Sequence, residues 1–272
     1  MMKALSKTYP IWLSDIWGVV HNGVRPFASA VAALKNHRAN GGTVILITNA
    51  PNTAPSVTQH LEQLGVDKTA YDNLVTSGDV TRNLIMKHGG DKTYFIGTSR
   101  DHSIFKGLDI ARVSIAQAQS VVCTGLFNEV DETAGDYADS LVEMKQHNLT
   151  MICANPDKVV QKGDRLIPCA GALAEAYANI GGKVLMAGKP FTPIYDLAIS
   201  KAREKLGHAI DKSQILCIGD GPQTDVKGAA DLGVPCVFIT DGINASDDIV
   251  AETQKAVPHA NIIAHMPELD WH

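Results

Sequence analysis

The chain has 272 residues, 45% of them hydrophobic and 19% charged, which is enough for a sizeable core and too apolar for disorder. Lys and Arg number 24 against 29 Asp and Glu, a formal net charge of −5, so no basic surplus draws the protein to nucleic acid or an anionic membrane. The five cysteines are odd in number and form no C-x-x-C pair, which argues against a zinc site, a redox dithiol or a disulfide scaffold and for small buried thiols in a reducing compartment.

The opening segment MMKALSKTYPIWLSD holds no apolar stretch of the signal-peptide kind, and no later run approaches the ~20 residues of a membrane span. A cytoplasmic protein is expected. Strand and helix patterns then alternate. A strand is predicted over 11–17, and a helix follows Ser29, its candidate N-cap, and stops at Gly41-Gly42. A strand over 43–48 leads to a helix over 55–64 that ends at Gly65, and another helix follows Ser77 and ends near 88–90. Strands over 93–97, 120–125 and 150–154 come next, with helices over 134–147 and 171–180. The last third reads strand 183–188, helix 192–206, strand 214–219, helix 223–232, strand 235–240 and helix 246–256.

Several strands are continuous apolar runs, the pattern of strands buried on both faces. With the β-α-β order this predicts an α/β fold, a doubly wound, Rossmann-like parallel sheet. No Pro- or Ser-rich linker separates two halves, so a second domain must be an insertion. Residues 87–183 have the length and elements for a smaller inserted α/β domain, leaving a discontinuous core of 1–86 and 184–272.

Four segments follow the C-terminal ends of predicted strands, the edge where open α/β sheets bind ligands. In Ser14-Asp15-Ile16-Trp17-Gly18, Asp15 ends a strand, where a carboxylate serves as nucleophile, metal ligand or simple turn cap. Thr48-Asn49 after VILI offers a hydroxyl and an amide to an anion, or a helix cap. Gly188-Lys189-Pro190 presents an ammonium ahead of a helix without the frame of a P-loop. In Ile218-Gly219-Asp220-Gly221-Pro222-Gln223-Thr224-Asp225, two carboxylates on one tight loop suit a hard divalent cation. Together these parts form a kit for phosphoryl transfer through an aspartyl-phosphate. A nucleotide-dependent dehydrogenase fits the sheet pattern but lacks a G-x-G-x-x-G after a strand.

In order and spacing, SDIWGV, ITNA, GKP and IGDGPQTD resemble the four motifs of the haloacid dehalogenase-like hydrolase superfamily. The insertion between the second and third motifs resembles the α/β cap of its subclass IIA, and ICANPD with CAGALAEAY is similar to that cap and its return to the core. The resemblance implies a Mg²⁺-dependent hydrolase of a small phosphorylated metabolite, with a homo-oligomer left open. It makes Asp15 the nucleophile and a Mg²⁺ ligand, Thr48 and Asn49 phosphate-binding, and Lys189 the residue that steadies nucleophile and phosphoryl group. Asp220 and Asp225 become metal residues, and Trp17 a metal ligand through its backbone carbonyl.

Phosphatases of this superfamily usually place a general-acid Asp where Trp17 stands. An indole only donates and does not titrate usefully, and general acid–base catalysis is worth ~10²–10⁴-fold, most for an alkyl phosphate with its poor leaving group. Three readings stand: a hydrolase with another proton shuttle, His21 being near in sequence; a slow phosphatase or phosphotransferase; or a phosphometabolite sensor that keeps the Mg²⁺ and phosphate pocket. Within the insertion, Asn155, Asp157 and Arg165 are the candidate substrate contacts, although N-P-D also suits a plain turn.

Overall fold

A computed structural model describes the backbone of residues 1–162, 165–241 and 248–272, with side chains described throughout these except at 161–166. In chain order the elements are α1 (Met2–Thr8), β1 (Ile11–Asp15), α2 (Ala28–Ala39), β2 (Thr43–Thr48), α3 (Ala54–Leu64), β3 (Asn73–Thr76), α4 (Ser77–His88), β4 (Lys92–Ile96), β5 (Ala111–Arg112), β6 (Ser120–Cys123), α5 (Ala138–Gln146), β7 (Thr150–Cys153), β8 (Val159–Lys162), β9 (Arg165–Pro168) and α6 (Ala170–Asn179). There follow β10 (Lys183–Met186), α7 (Thr192–Leu206), β11 (Ile215–Gly219), α8 (Lys227–Leu232), β12 (Cys236–Ile239), α9 (Ile249–Ala256) and β13 (Ile262–Met266). Among the described residues, no helix is long and apolar enough to cross a membrane.

The chain forms two compact units. The first comprises Met1–Thr48, Pro55–Val75 and Lys189–His272. Its parallel sheet has the order β13-β12-β11-β1-β2-β3. The chain enters at β1, winds outward through β2 and β3, and on its return winds the other way through β11, β12 and β13. The reversal lies between β1 and β11, where Ser14 stands opposite Ile218 in register. Every residue of β1, β2 and β11 is buried, which accounts for their unbroken apolar runs.

The second unit comprises Asn49–Ala54 and Thr76–Gly188. It has its own parallel sheet, β10-β7-β6-β4-β5, and a two-stranded antiparallel ribbon, β8-β9. The expected domain boundaries at 86 and 183 differ from these limits for identifiable reasons. Ile85 of α4 packs with Ile104, Phe105, Val122 and Ile152 of the inserted unit, and β10 pairs in parallel with β7. Both elements therefore belong with the insertion.

The long alternating elements lie where the sequence pattern predicts them, within a few residues at each end. The unpredicted ones are short. The helix α1 spans two turns, and β3, β5, β8, β9 and β13 have two to five residues, too few to show a period. Ser29 is not an N-cap: the cap position is Phe27, and the Ser29 hydroxyl instead donates to Glu268. Gly41, at φ +86°, does occupy the left-handed position just past the Asn40 cap. The five cysteines are all buried free thiols. Of the predicted helix over 246–256, residues 246 and 247 lie outside the described residues, and α9 begins at Ile249.

One polar group is built into the first unit's packing. His37 of α2 has no exposed surface and stacks on Trp12 of β1, with ring centroids 3.8 Å apart. Its Nδ1 lies 2.7 Å from the Ser6 hydroxyl and its Nε2 3.2 Å from the Pro10 carbonyl oxygen. A carbonyl only accepts, so Nε2 carries the proton and Nδ1 accepts from Ser6. Gly42 permits the close fit, since a Cβ there would fall 2.2 Å from Nε2. Burial, opposed by the carbonyl contacts, lowers the His37 pKa from 6.5 to about 4.

Between those values the unfolded chain binds a proton that the folded chain refuses, so stability falls as pH drops from about 6.5 to 4. At ~1.4 kcal/mol per unit the loss is at most ~3.5 kcal/mol. Thermal melts across this range should show a steeper acid loss for the wild type than for His37→Gln. Parallel curves would contradict the assignment.

Candidate active site

The site is assembled at the reversal between β1 and β11, where two adjacent connections leave the sheet edge in opposite directions and open a crevice. Asp15 is the last residue of β1, and Asp220 follows the last residue of β11. Asp225 returns to the same place on a π-helical turn over Pro222–Val226, a form common at functional sites. Asp15, Asp220 and Asp225 are buried and each offers a carboxylate oxygen within 4.8 Å of the others.

Two glycines allow this crowding. Gly18 has φ +82°, and a Cβ on it would stand 2.1 Å from the Asp220 carboxylate. A Cβ on Gly219 would stand 2.2 Å from Asp225 Cγ. The Gly221 amide donates to Asp225 Oδ2 at 3.1 Å and the Thr224 hydroxyl donates to the same oxygen at 3.2 Å, which fixes the carboxylate's rotation. Tyr195 of α7 supports the turn from below, its hydroxyl donating to the Thr224 carbonyl at 3.5 Å. Nothing in the sequence marks Tyr195, whereas the glycines on either side of Asp220 were a legible sign of close approach.

Lys189 links the carboxylates. Its Nζ donates to Asp15 Oδ1 at 2.5 Å and to Asp225 Oδ1 at 2.7 Å, and all three side chains are almost wholly buried. Burial alone would pull the lysine pKa down, but Asp15 and Asp225 outweigh it and hold the ammonium charged, above its ordinary value. Asp15 moves upward: burial is the largest cause, Lys189 opposes it, and Asp225 and Asp220 add to it. With every carboxylate ionised, one ammonium against three leaves two negative charges in a buried volume. This is an unfavourable balance that a divalent cation would neutralise, and an all-oxygen donor set is what Mg²⁺ accepts. The residues present therefore fit such an ion.

Thr48 closes β2, next in line after Ile47, which is level with Asp15 across the sheet, and it is buried. Asn49 begins the second unit. There its Nδ2 donates to Asp157 Oδ1 at 3.0 Å, and Gly188 lies so near that a Cβ would fall 2.4 Å from Asn49 Oδ1. Asn155 Oδ1 accepts from the Asp157 amide at 3.0 Å, so the N-P-D segment forms an Asx-type turn. Of the three residues singled out in the insertion, Asn155 and Asp157 are thus joined to each other and to Asn49. The side chain of Arg165 lies outside the described residues.

The loop after β1 carries Trp17 and His21. His21 is only 3% exposed, and its Nδ1 accepts from the Gly23 amide at 2.8 Å. Burial, with a smaller contribution from His60, lowers its pKa from 6.5 to about 4. A buried ring that is neutral at physiological pH and engaged at Nδ1 serves to fix the turn, which speaks against the expected roles of proton shuttle and substrate contact.

These features define an α/β protein with a buried acid–lysine centre at the switch point of its first sheet. Residues 12–111 match the family model described as haloacid dehalogenase-like hydrolase, and residues 186–269 one described as HAD-hydrolase-like. The crystal structure of a haloacid dehalogenase-like hydrolase from Brucella suis 1330 is 46% identical, with TM-score 0.88, covering 98% of this chain and 97% of that one. An acid sugar phosphatase of Staphylococcus epidermidis is 26% identical over 248 residues, 89% of this chain and 91% of its own. A D-glycerol 3-phosphate phosphatase of Mycobacterium tuberculosis is 26% identical over 255 residues, 92% of this chain and 68% of its own. The chain belongs to the haloacid dehalogenase-like hydrolase family.

Two measurements check the geometry. Asp220→Asn and Gly18→Ala should each shrink the rise in melting temperature that Mg²⁺ causes, the first by removing a donor and the second by displacing it; a wild-type rise in both would show that the cluster does not hold the ion. Lys189→Met should destabilise the metal-free protein by about 3–5 kcal/mol, because it strands buried carboxylates. Urea melts of the two proteins in EDTA give that difference, and one below ~1 kcal/mol would mean that the carboxylates are not both charged.

Proposed function

We propose that this hydrolase is a Mg²⁺-dependent phosphatase of a small phosphorylated metabolite, working through an aspartyl-phosphate on Asp15. The observation that carries the reading is the buried Asp15 carboxylate, bonded at 2.5 Å to a lysine that stays charged and set among two further acids. Its relatives act, by name, on sugar and glycerol phosphates, which supports a small phosphate ester as substrate.

Asp15, Asp220, Asp225 and the backbone carbonyl of Trp17 would hold the cation, which when bound neutralises phosphoryl charge. The remaining work falls to the chain's own residues. A free Asp15 oxygen attacks phosphorus as the bond to the leaving oxygen breaks. Lys189 favours the ionised form of Asp15 against the pull of burial and offsets charge on the phosphoryl group. The Thr48 hydroxyl donates to a phosphoryl oxygen. Water then attacks phosphorus, the bond to Asp15 breaks, and the carboxylate returns with its electron pair while the proton passes to phosphate or solvent.

Trp17 in place of an acid, beside a His21 held neutral, favours a second reading: a sensor that binds a phosphometabolite without turning it over. Phosphate release from a panel of phosphate esters, with and without Mg²⁺, separates the two. Release that requires Mg²⁺ and drops by ~10³-fold or more in Asp15→Asn is expected. Micromolar binding of a panel member with no release would establish the sensor instead.

A further inference from the structure

Trp17 is 37% exposed, on a loop whose other groups serve structure or the acid centre. It is rooted beside the acids, since the next residue is Gly18, whose missing Cβ makes room for the Asp220 carboxylate. The indole is also held in place. The Gly23 backbone lies under its six-membered ring, where a Cβ would fall 2.4 Å from Cη2 and 2.9 Å from Cζ3. The His21 ring meets it edge-on, with centroids 5.3 Å apart and planes at 75°.

The loop beneath is tied internally. Gly18 donates to the His21 carbonyl at 2.9 Å, Phe27 to that of Val20 at 2.8 Å, and Asn22 Oδ1 accepts from the amides of Val24 and Arg25. The aromatic ring is backed by Gly23 and His21 and keeps 37% of its residue's surface exposed. The same loop, Ile16 to Gly23, has one titratable side chain, His21, and that ring is buried with its Nδ1 occupied. The loop thus presents a flat apolar surface and no proton donor to an oxygen leaving phosphorus.

We propose that Trp17 is the specificity-determining contact for the leaving group, stacking its exposed surface on an aromatic ring, so that the preferred substrates are aryl phosphate monoesters. The proposal rests on the phosphatase reading and narrows its substrate class. The chemistry balances without an acid. The Asp15 oxygen–phosphorus bond forms, the phosphorus–aryl oxygen bond breaks, and the electron pair leaves on an aryloxide, which charge delocalisation stabilises until solvent protonates it. An alkoxide has no such relief. Offset stacking of the substrate ring on the indole holds the ester in line for attack.

The test is kcat/KM with Mg²⁺ for phenyl phosphate and 4-nitrophenyl phosphate, against glycerol and glucose phosphates as alkyl esters and acetyl phosphate as a good leaving group without a ring. The aryl esters should exceed the alkyl esters by about 10²-fold or more, the scale of missing acid catalysis. Trp17→Ala should raise KM for the aryl esters about 3–10-fold more than for acetyl phosphate, the scale of one stacking pair, while Trp17→Phe keeps most of the difference. Phenyl phosphate should also quench the indole fluorescence of Asp15→Asn, and Asp15→Asn/Trp17→Phe should lose that quench. Aryl and alkyl esters turned over within about 3-fold of each other, or a Trp17→Ala loss shared equally by acetyl phosphate, would overturn the assignment and leave the phosphatase standing. No release from any compound would sink both.

Discussion

A buried ammonium shared between two buried carboxylates organises the first unit. Lys189 reaches Asp15 at 2.5 Å and Asp225 at 2.7 Å, joining the end of β1, the loop after β11 and the segment that returns from the insertion. Charges with so little exposure are tolerated only when paired. Asp220 stands in the same cluster, a third buried carboxylate within 4.8 Å of the other two.

Much of this was legible in the sequence because the chemistry sits on strand ends. Continuous apolar runs located β1, β2 and β11, and the polar residues that terminate them are Asp15, Thr48 and Asp220. Asp225 was legible through its spacing from Asp220. What lay beyond reading was tertiary. The pairing of Asn49 with Asp157 spans 108 positions, and the support of Thr224 by Tyr195 spans 29. No local pattern encodes either contact. The unit boundaries were displaced for the same reason, since α4 joins the insertion through the packing of Ile85 and not through any change in composition. His21 shows the converse. Its position near Asp15 suggested proton transfer, but its burial and its bond to the Gly23 amide give it to the turn.

The loop after β1 joins an aromatic side chain to the acid cluster. Trp17, Gly18, His21 and Gly23 form one unit: each glycine makes room for a neighbour, the histidine buttresses the indole, and the carboxylate of Asp220 fits beneath.

Covalent chemistry at Asp15 is tested most directly by trapping. Enzyme mixed with radiolabelled 4-nitrophenyl phosphate and Mg²⁺, quenched in acid during turnover and digested, should carry label on the peptide that contains Asp15. Asp15→Asn should carry none. Turnover at the wild-type rate with no label on that peptide, or equal label in Asp15→Asn, would contradict it.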